Sequence, residues 1–244
     1  METLIQTGLA QLGQAGRVPK EAPALLARYG ALLVEKNRVM NLTAITEPRD
    51  VATLHMLDCA ALLNCANFEG KTLIDVGTGA GFPGVPLAVL APSLKVTLLD
   101  SLNKRVEWLR ETCKVLSLSN TCAIQARAEE AGRYADLRER FDFATARAVA
   151  DLRVLAELCL PFVKVGGWFL AMKGTDCDQE LEQAQPLIAA LGGRLEGMED
   201  YAIPHTEVTH RVVRIKKIAA TPSQYPRRWA KIQKEAQKAS SALR

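Results

Sequence analysis

Thr72-Leu73-Ile74-Asp75-Val76-Gly77-Thr78-Gly79-Ala80-Gly81-Phe82-Pro83-Gly84 runs from a short apolar stretch into four glycines within eight positions. The apolar stretch has the length and composition of a buried strand. The glycines allow a turn with positive φ and a close approach of a ligand to the backbone. The helix expected to follow begins with N–H groups that have no partner inside it. Asp100 closes the next apolar run, 23 residues after Gly77. An acid there accepts hydrogen bonds from both ribose hydroxyls of an adenosine-containing cofactor.

The same alternation continues downstream. Apolar runs at 95–100, 122–126, 141–146 and 167–172 predict strands, and helical patterns at 85–90, 104–116, 150–163 and 179–191 lie between them. Strand-helix alternation implies a parallel sheet covered on both faces. After Gly192-Gly193, the runs 194–203 and 208–218 predict two further strands that pair antiparallel at the sheet's edge. Upstream, 1–70 reads as helical. Leu25, Leu26, Tyr29, Leu32 and Leu33 form one apolar stripe, and Thr46-Glu47-Pro48 is expected to start another helix with Thr46 as its cap. The expected fold class is α/β: a mostly parallel seven-stranded sheet with an antiparallel edge. The organisation is a helical N-terminal extension (1–70), a Rossmann-like domain (71–218) and a basic tail (219–244).

Composition bounds the function. The chain has 244 residues, 48% apolar and 24% charged, a globular balance that excludes a disordered or fibrous protein. No apolar run approaches the roughly 18 residues of a membrane span. Met1-Glu2-Thr3 lacks the basic-then-apolar-then-small order of a signal peptide, and a cytoplasmic location is expected. The six cysteines contain no Cys-x-x-Cys pair, and four sit beside Leu or Ala, so packed free thiols are expected and a metal site is not. The net charge of +4 is unevenly spread: +9 from Arg211 onward and −5 before it. A basic end on an acidic body suits a polyanion such as RNA, or else is a solvated tail.

Two cofactors compete for the glycine turn. Gly79-x-Gly81-x-x-Gly84 formally matches the dinucleotide fingerprint, which would make the protein an NAD-dependent oxidoreductase. Asp75 puts a negative charge where a pyrophosphate needs none, and Pro83 and Pro86 remove two N–H groups. S-adenosylmethionine (SAM) has no phosphate and carries a sulfonium and an amine, so a nearby carboxylate favours it.

The residues Asp75-Val76-Gly77-Thr78-Gly79, Gly81 and Pro83-Gly84, with Leu99-Asp100-Ser101 and Lys104-Arg105, resemble the bacterial small-subunit ribosomal RNA methyltransferase G family, also called glucose-inhibited division protein B. Asn41-Leu42-Thr43, His55, Leu57-Asp58, Ala128-Glu129-Glu130, Arg147-Ala148 and Lys173-Gly174 extend the likeness over about 25–217. The resemblance implies a Rossmann-like class I SAM-dependent methyltransferase acting on N7 of a guanosine in 16S rRNA, with the rRNA or the small subunit as partner and S-adenosylhomocysteine as product. It places Gly77, Phe82, Ala128, Glu129 and Arg147 in the SAM pocket, beside Asp75, Gly79 and Asp100 from the reading above. Two positions depart from the family: its Asp-Ser is Asp58-Cys59 here, and Tyr225-Pro226-Arg227-Arg228 is not followed by the usual Gly-x-Pro-x-Lys-x-Pro-Leu.

Several side chains are candidates for the RNA side, each with a structural alternative. Lys173 would hold a phosphate or guanine O6, or lie along the surface. Asn41, His55 and Asp58 would make a polar rim, with His55 and Asp58 bonded to each other, or would be a core histidine and helix caps. Arg147 would otherwise pair with Asp142 or Asp151. Tyr225, Arg227, Arg228 and Trp229 interleave rings with cations as base-stacking segments do, or dock Trp229 on the body. Deleting 221–244 is then expected to weaken RNA binding and leave SAM affinity unchanged. Guanine N7 has a free lone pair, so no general base is required and no proton-transfer residue is assigned. A monomer is expected. The rival outside enzymes is a non-catalytic RNA-binding protein with a vestigial pocket.

Overall fold

From Thr72 onward strands and helices alternate as their periodicity predicts, in a computed structural model that describes residues 1–147 and 150–241. Ala148 of the Arg147-Ala148 match and Arg244 of the basic end lie outside the described residues. The N-terminal part comprises α1 (Glu2–Gln11), α2 (Ala22–Met40) and one continuous helical run. That run is α3 (Pro48–Asp50), a π-helical turn (Val51–Leu57), α4 (Asp58–Ala60) and a 3-10 turn (Ala61–Asn64). Next come β1 (Thr72–Val76), α5 (Gly84–Leu90), β2 (Lys95–Asp100), α6 (Asn103–Val115), β3 (Thr121–Gln125), α7 (Ala128–Ala131) and β4 (Phe141–Arg147). The chain continues through α8 (Leu152–Cys159), β5 (Val163–Gly174), α9 (Asp178–Ala190), β6 (Gly193–Ala202), β7 (Thr209–Lys217) and α10 (Trp229–Ser241).

The sheet order is β3-β2-β1-β4-β5-β7-β6. The first five strands pair in parallel, and β7 runs antiparallel to both neighbours. The antiparallel strand is thus inserted between β5 and β6, and β6 is the edge. Strand order reverses between β1 and β4, which opens a crevice at their carboxyl ends.

Side chains alternate between two apolar layers, as the two-residue strand repeat requires. Leu73, Leu98, Phe143 and Leu170 enter the layer that also holds Ile5, Leu26, Tyr29 and Leu57 of the N-terminal helices. Ile74, Leu99, Ala144 and Phe169 enter the other, against Leu152, Leu155 and Leu181. The N-terminal helices share the sheet's own core. Gly84 lets α5 lie close on β2, since a Cβ there would stand 2.3 Å from Leu98 Cδ2.

Three local expectations change. Glu47, not Thr46, occupies the N-cap of α3, with no side-chain cap. β5 begins four residues before the predicted 167, because Phe141 still pairs with Val163 across a register shift although Gly166 and Gly167 interrupt the apolar pattern. The basic end folds into α10, with Ile232 buried in a cleft shared with Val154 and Leu187. Among the described residues no helix is long and apolar enough to cross a membrane, and no group of His, Cys, Asp and Glu is placed to hold a metal. All six cysteines are free, and Cys122 alone among them is exposed.

Candidate cofactor cavity and the polar cluster behind it

The glycine turn is held by the next strand: Gly77 N and Thr78 N both donate to Leu99 O, at 2.9 and 3.0 Å. Asp75 is fully buried beneath it, and its Oδ2 accepts from Thr78 Oγ1 (2.6 Å) and Gly84 N (2.8 Å). Burial pushes its pKa up to about 6, against those two hydrogen bonds. Its Oδ1 is buried and has no partner among the described residues. At the start of α5, Gly84 N is thus spent on a carboxylate, Val85 N on Gly81 O and Leu87 N on Pro83 O, while Pro86 has no N–H. A pyrophosphate would find a negative charge and no free amide there. The dinucleotide reading loses its anion site.

A cavity of about 360 Å³ opens at the carboxyl ends of β1, β2 and β3, a size typical of small-molecule sites. Gly77 faces it with φ 69°, and a Cβ added there would meet nothing within 4 Å. Asp100 lies at its wall, 4% exposed, with Oδ2 accepting from Gly79 N (3.0 Å) and Oδ1 from Leu102 N (2.9 Å). These bonds fix the carboxylate's orientation and leave each oxygen a further lone pair for a ribose hydroxyl. Glu129, 8% exposed, holds Arg127 through Nε at 2.6 Å. Ala128 lines the same cavity, as do Leu155 and Leu158 of α8 and Trp229 of α10. The mixture suits an adenosine: a largely apolar slot for a purine, a fixed carboxylate for the diol and no phosphate cradle.

Of the pocket residues named from sequence, Gly77, Asp100, Ala128 and Glu129 line this cavity. Asp75, Gly79, Phe82 and Arg147 stand behind it. The Arg147 guanidinium lies 4.6 Å from the Phe82 ring centroid, and the His55 ring stacks on Phe82 at 4.3 Å. Arg147 pairs with neither Asp142 nor Asp151. Its Nη1 donates to Asp58 Oδ2 (3.1 Å) and Leu54 O (2.9 Å), and its Nη2 to His55 Nδ1 (2.8 Å). Arg147 therefore stands between His55 and Asp58, which make no bond to each other among those the structure shows.

Because a guanidinium only donates, His55 Nδ1 is the acceptor and Nε2–H donates to Thr43 Oγ1 at 2.9 Å. Burial, reinforced by Arg147, lowers the His55 pKa to about 3, so its imidazole is neutral. Asp58 Oδ1 also accepts from Tyr201 OH and His210 Nδ1, each at 2.8 Å. Burial pushes the Asp58 carboxyl up, but these partners and Arg147 outweigh it and hold the pKa below the usual range. The His210 pKa is raised by its bond to Asp58. Thr43, Tyr201 and His210 were not paired from the sequence: Tyr201 lies 143 residues from Asp58, and no local pattern signals such a contact.

The RNA-side candidates separate. Asn41 is exposed, in the left-handed conformation (φ 49°) that ends α2, ahead of the loop that delivers Thr43. Lys173 Nζ is held by Glu180 at 2.7 Å and by Ala150 O at 3.2 Å. Arg227 is committed to Glu157 (2.6 Å) and Glu235 (2.5 Å). Arg228 is exposed. Reading by sequence missed Arg105, Arg127, Leu102, Leu155 and Leu158 as cavity lining, since apolar and basic helix residues carry no chemical signature of their own.

Comparison with known proteins bears on the same region. The family described as GidB, rRNA small subunit methyltransferase G, matches residues 23–209. The chain is 48% identical over 204 residues to the ribosomal RNA small subunit methyltransferase G of Alkaliphilus metalliredigens, covering 83% of this chain and 85% of that one. It is 45% identical to the enzyme of that name from Clostridium perfringens, covering 85% and 87%. Among solved structures it is similar to TrmN from Thermus thermophilus, with a TM-score of 0.51 and 23% identity over 66% of this chain and 48% of that one. It is also similar to M. jannaschii TYW2 in complex with AdoMet, with a TM-score of 0.50 and 19% identity over 63% and 71%. At these identities the structural likeness speaks to the fold alone.

Proposed function

The chain belongs to the rRNA small subunit methyltransferase G family, and on that premise we propose that it transfers the methyl group of SAM to N7 of a guanosine in 16S rRNA, releasing S-adenosylhomocysteine. The observation that carries the cofactor is the cavity beside Asp100, with the first amide of α5 already spent on Asp75. In this reading Gly77, Asp100, Ala128 and Glu129 touch the cofactor, with Asp100 holding the ribose hydroxyls. Asp75, Gly79, Phe82 and Arg147 shape the turn and the wall from behind. The three-part organisation, helical extension, Rossmann-like domain and basic C-terminal segment, serves that site, and an rRNA substrate places the protein in the cytoplasm.

When bound, the cofactor supplies an electrophilic methyl group on a sulfonium. What the chain adds is position and environment. Guanine N7 is a lone-pair nucleophile at neutral pH, so the reaction needs in-line approach and exclusion of water rather than a proton acceptor. Arg147 and neutral His55, braced by Asp58 and Thr43 and stacked on Phe82, form a rigid polar wall where β4 ends next to the cavity. A base displaced from RNA structure would be received against it.

The test is transfer of labelled methyl from SAM to unmodified 16S rRNA, offered naked and as assembled subunits, followed by digestion to nucleosides. Labelled 7-methylguanosine is the expected product. SAM binding without label in any nucleoside would support the non-catalytic alternative, and NAD binding without SAM binding the oxidoreductase.

A further inference from the structure

The C-terminal segment is strapped to the body before α10 begins. Arg133 Nη2 donates to Pro226 O (2.6 Å), and Arg138 donates to Tyr225 O (2.9 Å) and Thr221 O (2.7 Å). Arg227 forms a fork with Glu157, which is fully buried, and reaches Glu235 nearly two turns into α10. Arg228 follows Arg227, and then comes Trp229, half-buried in the wall of the 360 Å³ cavity. The Arg127 guanidinium, pinned by Glu129, lies 5.9 Å from the Trp229 ring centroid. An indole held this firmly at the rim of a cofactor cavity has a use there.

We propose that Trp229 contacts the cofactor, its indole forming the purine-side wall of the cavity beside Arg127 and Glu129. This rests on reading the cavity as the SAM site. The purine is the one flat π-surface the cofactor offers, and an indole stacks on purines through area and polarisability. Arg127, stacked beneath the ring, orients it and adds a cation–π contact. The C-terminal segment therefore completes the cofactor cavity. The expectation that removing 221–244 leaves SAM affinity unchanged gives way, because Trp229 and its anchors lie within that span.

The experiment measures S-adenosylhomocysteine and SAM binding to the full-length wild type, W229A and W229F by calorimetry, with tryptophan fluorescence followed in parallel. W229A is expected to weaken S-adenosylhomocysteine binding roughly 5- to 150-fold, the range of one base-aromatic stack, and W229F to recover most of the loss. Wild-type fluorescence should change on adding S-adenosylhomocysteine, and W229F should lose that change. Trp108 is buried against Tyr29, and Trp168 lies under Arg214 and Lys216, so both serve as background. If W229A does not fold, W229F and the fluorescence change still decide. Wild-type affinity in W229A, or an undiminished fluorescence change in W229F, overturns the assignment while leaving the cofactor reading intact. A wild type that binds neither ligand overturns both.

Discussion

Asp100 shows how much one side chain does here. Backbone amides of Gly79 and Leu102 aim its two oxygens, and the cavity meets what remains of its hydrogen-bonding capacity. Asp100→Ala is expected to weaken SAM binding by about 1–3 kcal/mol, the loss of charge-assisted hydrogen bonds, read by calorimetry. His55 makes a second prediction, through pH. Its pKa is about 3 in the folded state against 6.5 in the unfolded chain, so between those values the unfolded chain binds more protons. Its contribution to stability is complete above 6.5 and is lost as pH falls toward 3. His210, raised by Asp58, acts oppositely, contributing fully below 6.5 and losing its contribution as pH rises through its folded pKa. The stability gap between wild type and His55→Gln should therefore narrow between pH 7 and pH 5 in urea unfolding. A constant gap would show that His55 is not held neutral by its surroundings.

The same residues look different as parts of elements. Asp75, Thr78 and Gly84 were legible as a strand-turn-helix because glycine spacing and strand length are local properties. Their division of labour was only partly legible: Gly77 opens to the cavity, whereas Gly84 exists for packing. Gly84→Ala would put a methyl group 2.3 Å from Leu98 Cδ2 and 2.8 Å from Asp75 Oδ2. An overpacking cost of about 1–3 kcal/mol is expected from urea unfolding, with α5 displaced from β2. The C-terminal helix is the element that the sequence leaves most open. Tyr225-Pro226-Arg227-Arg228-Trp229 reads as cations and rings for RNA, yet Arg227 spends its charge on Glu157 and Glu235. Among the described side chains, Arg228 just before that helix and Lys231 and Lys234 on it remain exposed for a polyanion, at three-residue spacing. Charge counting cannot separate a paired cation from a free one, because pairing depends on what the helix lies against.

Across the whole molecule, the basic end of +9 shrinks in reach once its partners are known. Arg211 is held by Asp200 and Asp178 at 2.5 Å each, and Lys217 is buried beside Glu139 at 3.1 Å. Neutralising Arg228, Lys231 and Lys234 together should weaken RNA binding and flatten the slope of log K against log salt by about 2–3, if each meets a phosphate. An unchanged slope in filter-binding titrations would move the RNA contact away from α10.

The succession of strands and helices along the chain and the glycine turn follow from sequence alone, because strand length, apolar alternation and glycine conformation are set within a few residues. The position of Asp100 at the end of β2 follows from the same local rule. The Asp58 cluster and the Trp229 wall belong to the tertiary structure. Tyr201 and His210 meet Asp58, and Trp229 meets Arg127, only after the sheet brings β6, β7 and α10 against elements far away in the chain. Burial then settles what each group does. Removed from water, a carboxylate, an imidazole or a guanidinium must find a partner or give up its charge, and only packing determines which partner is within reach.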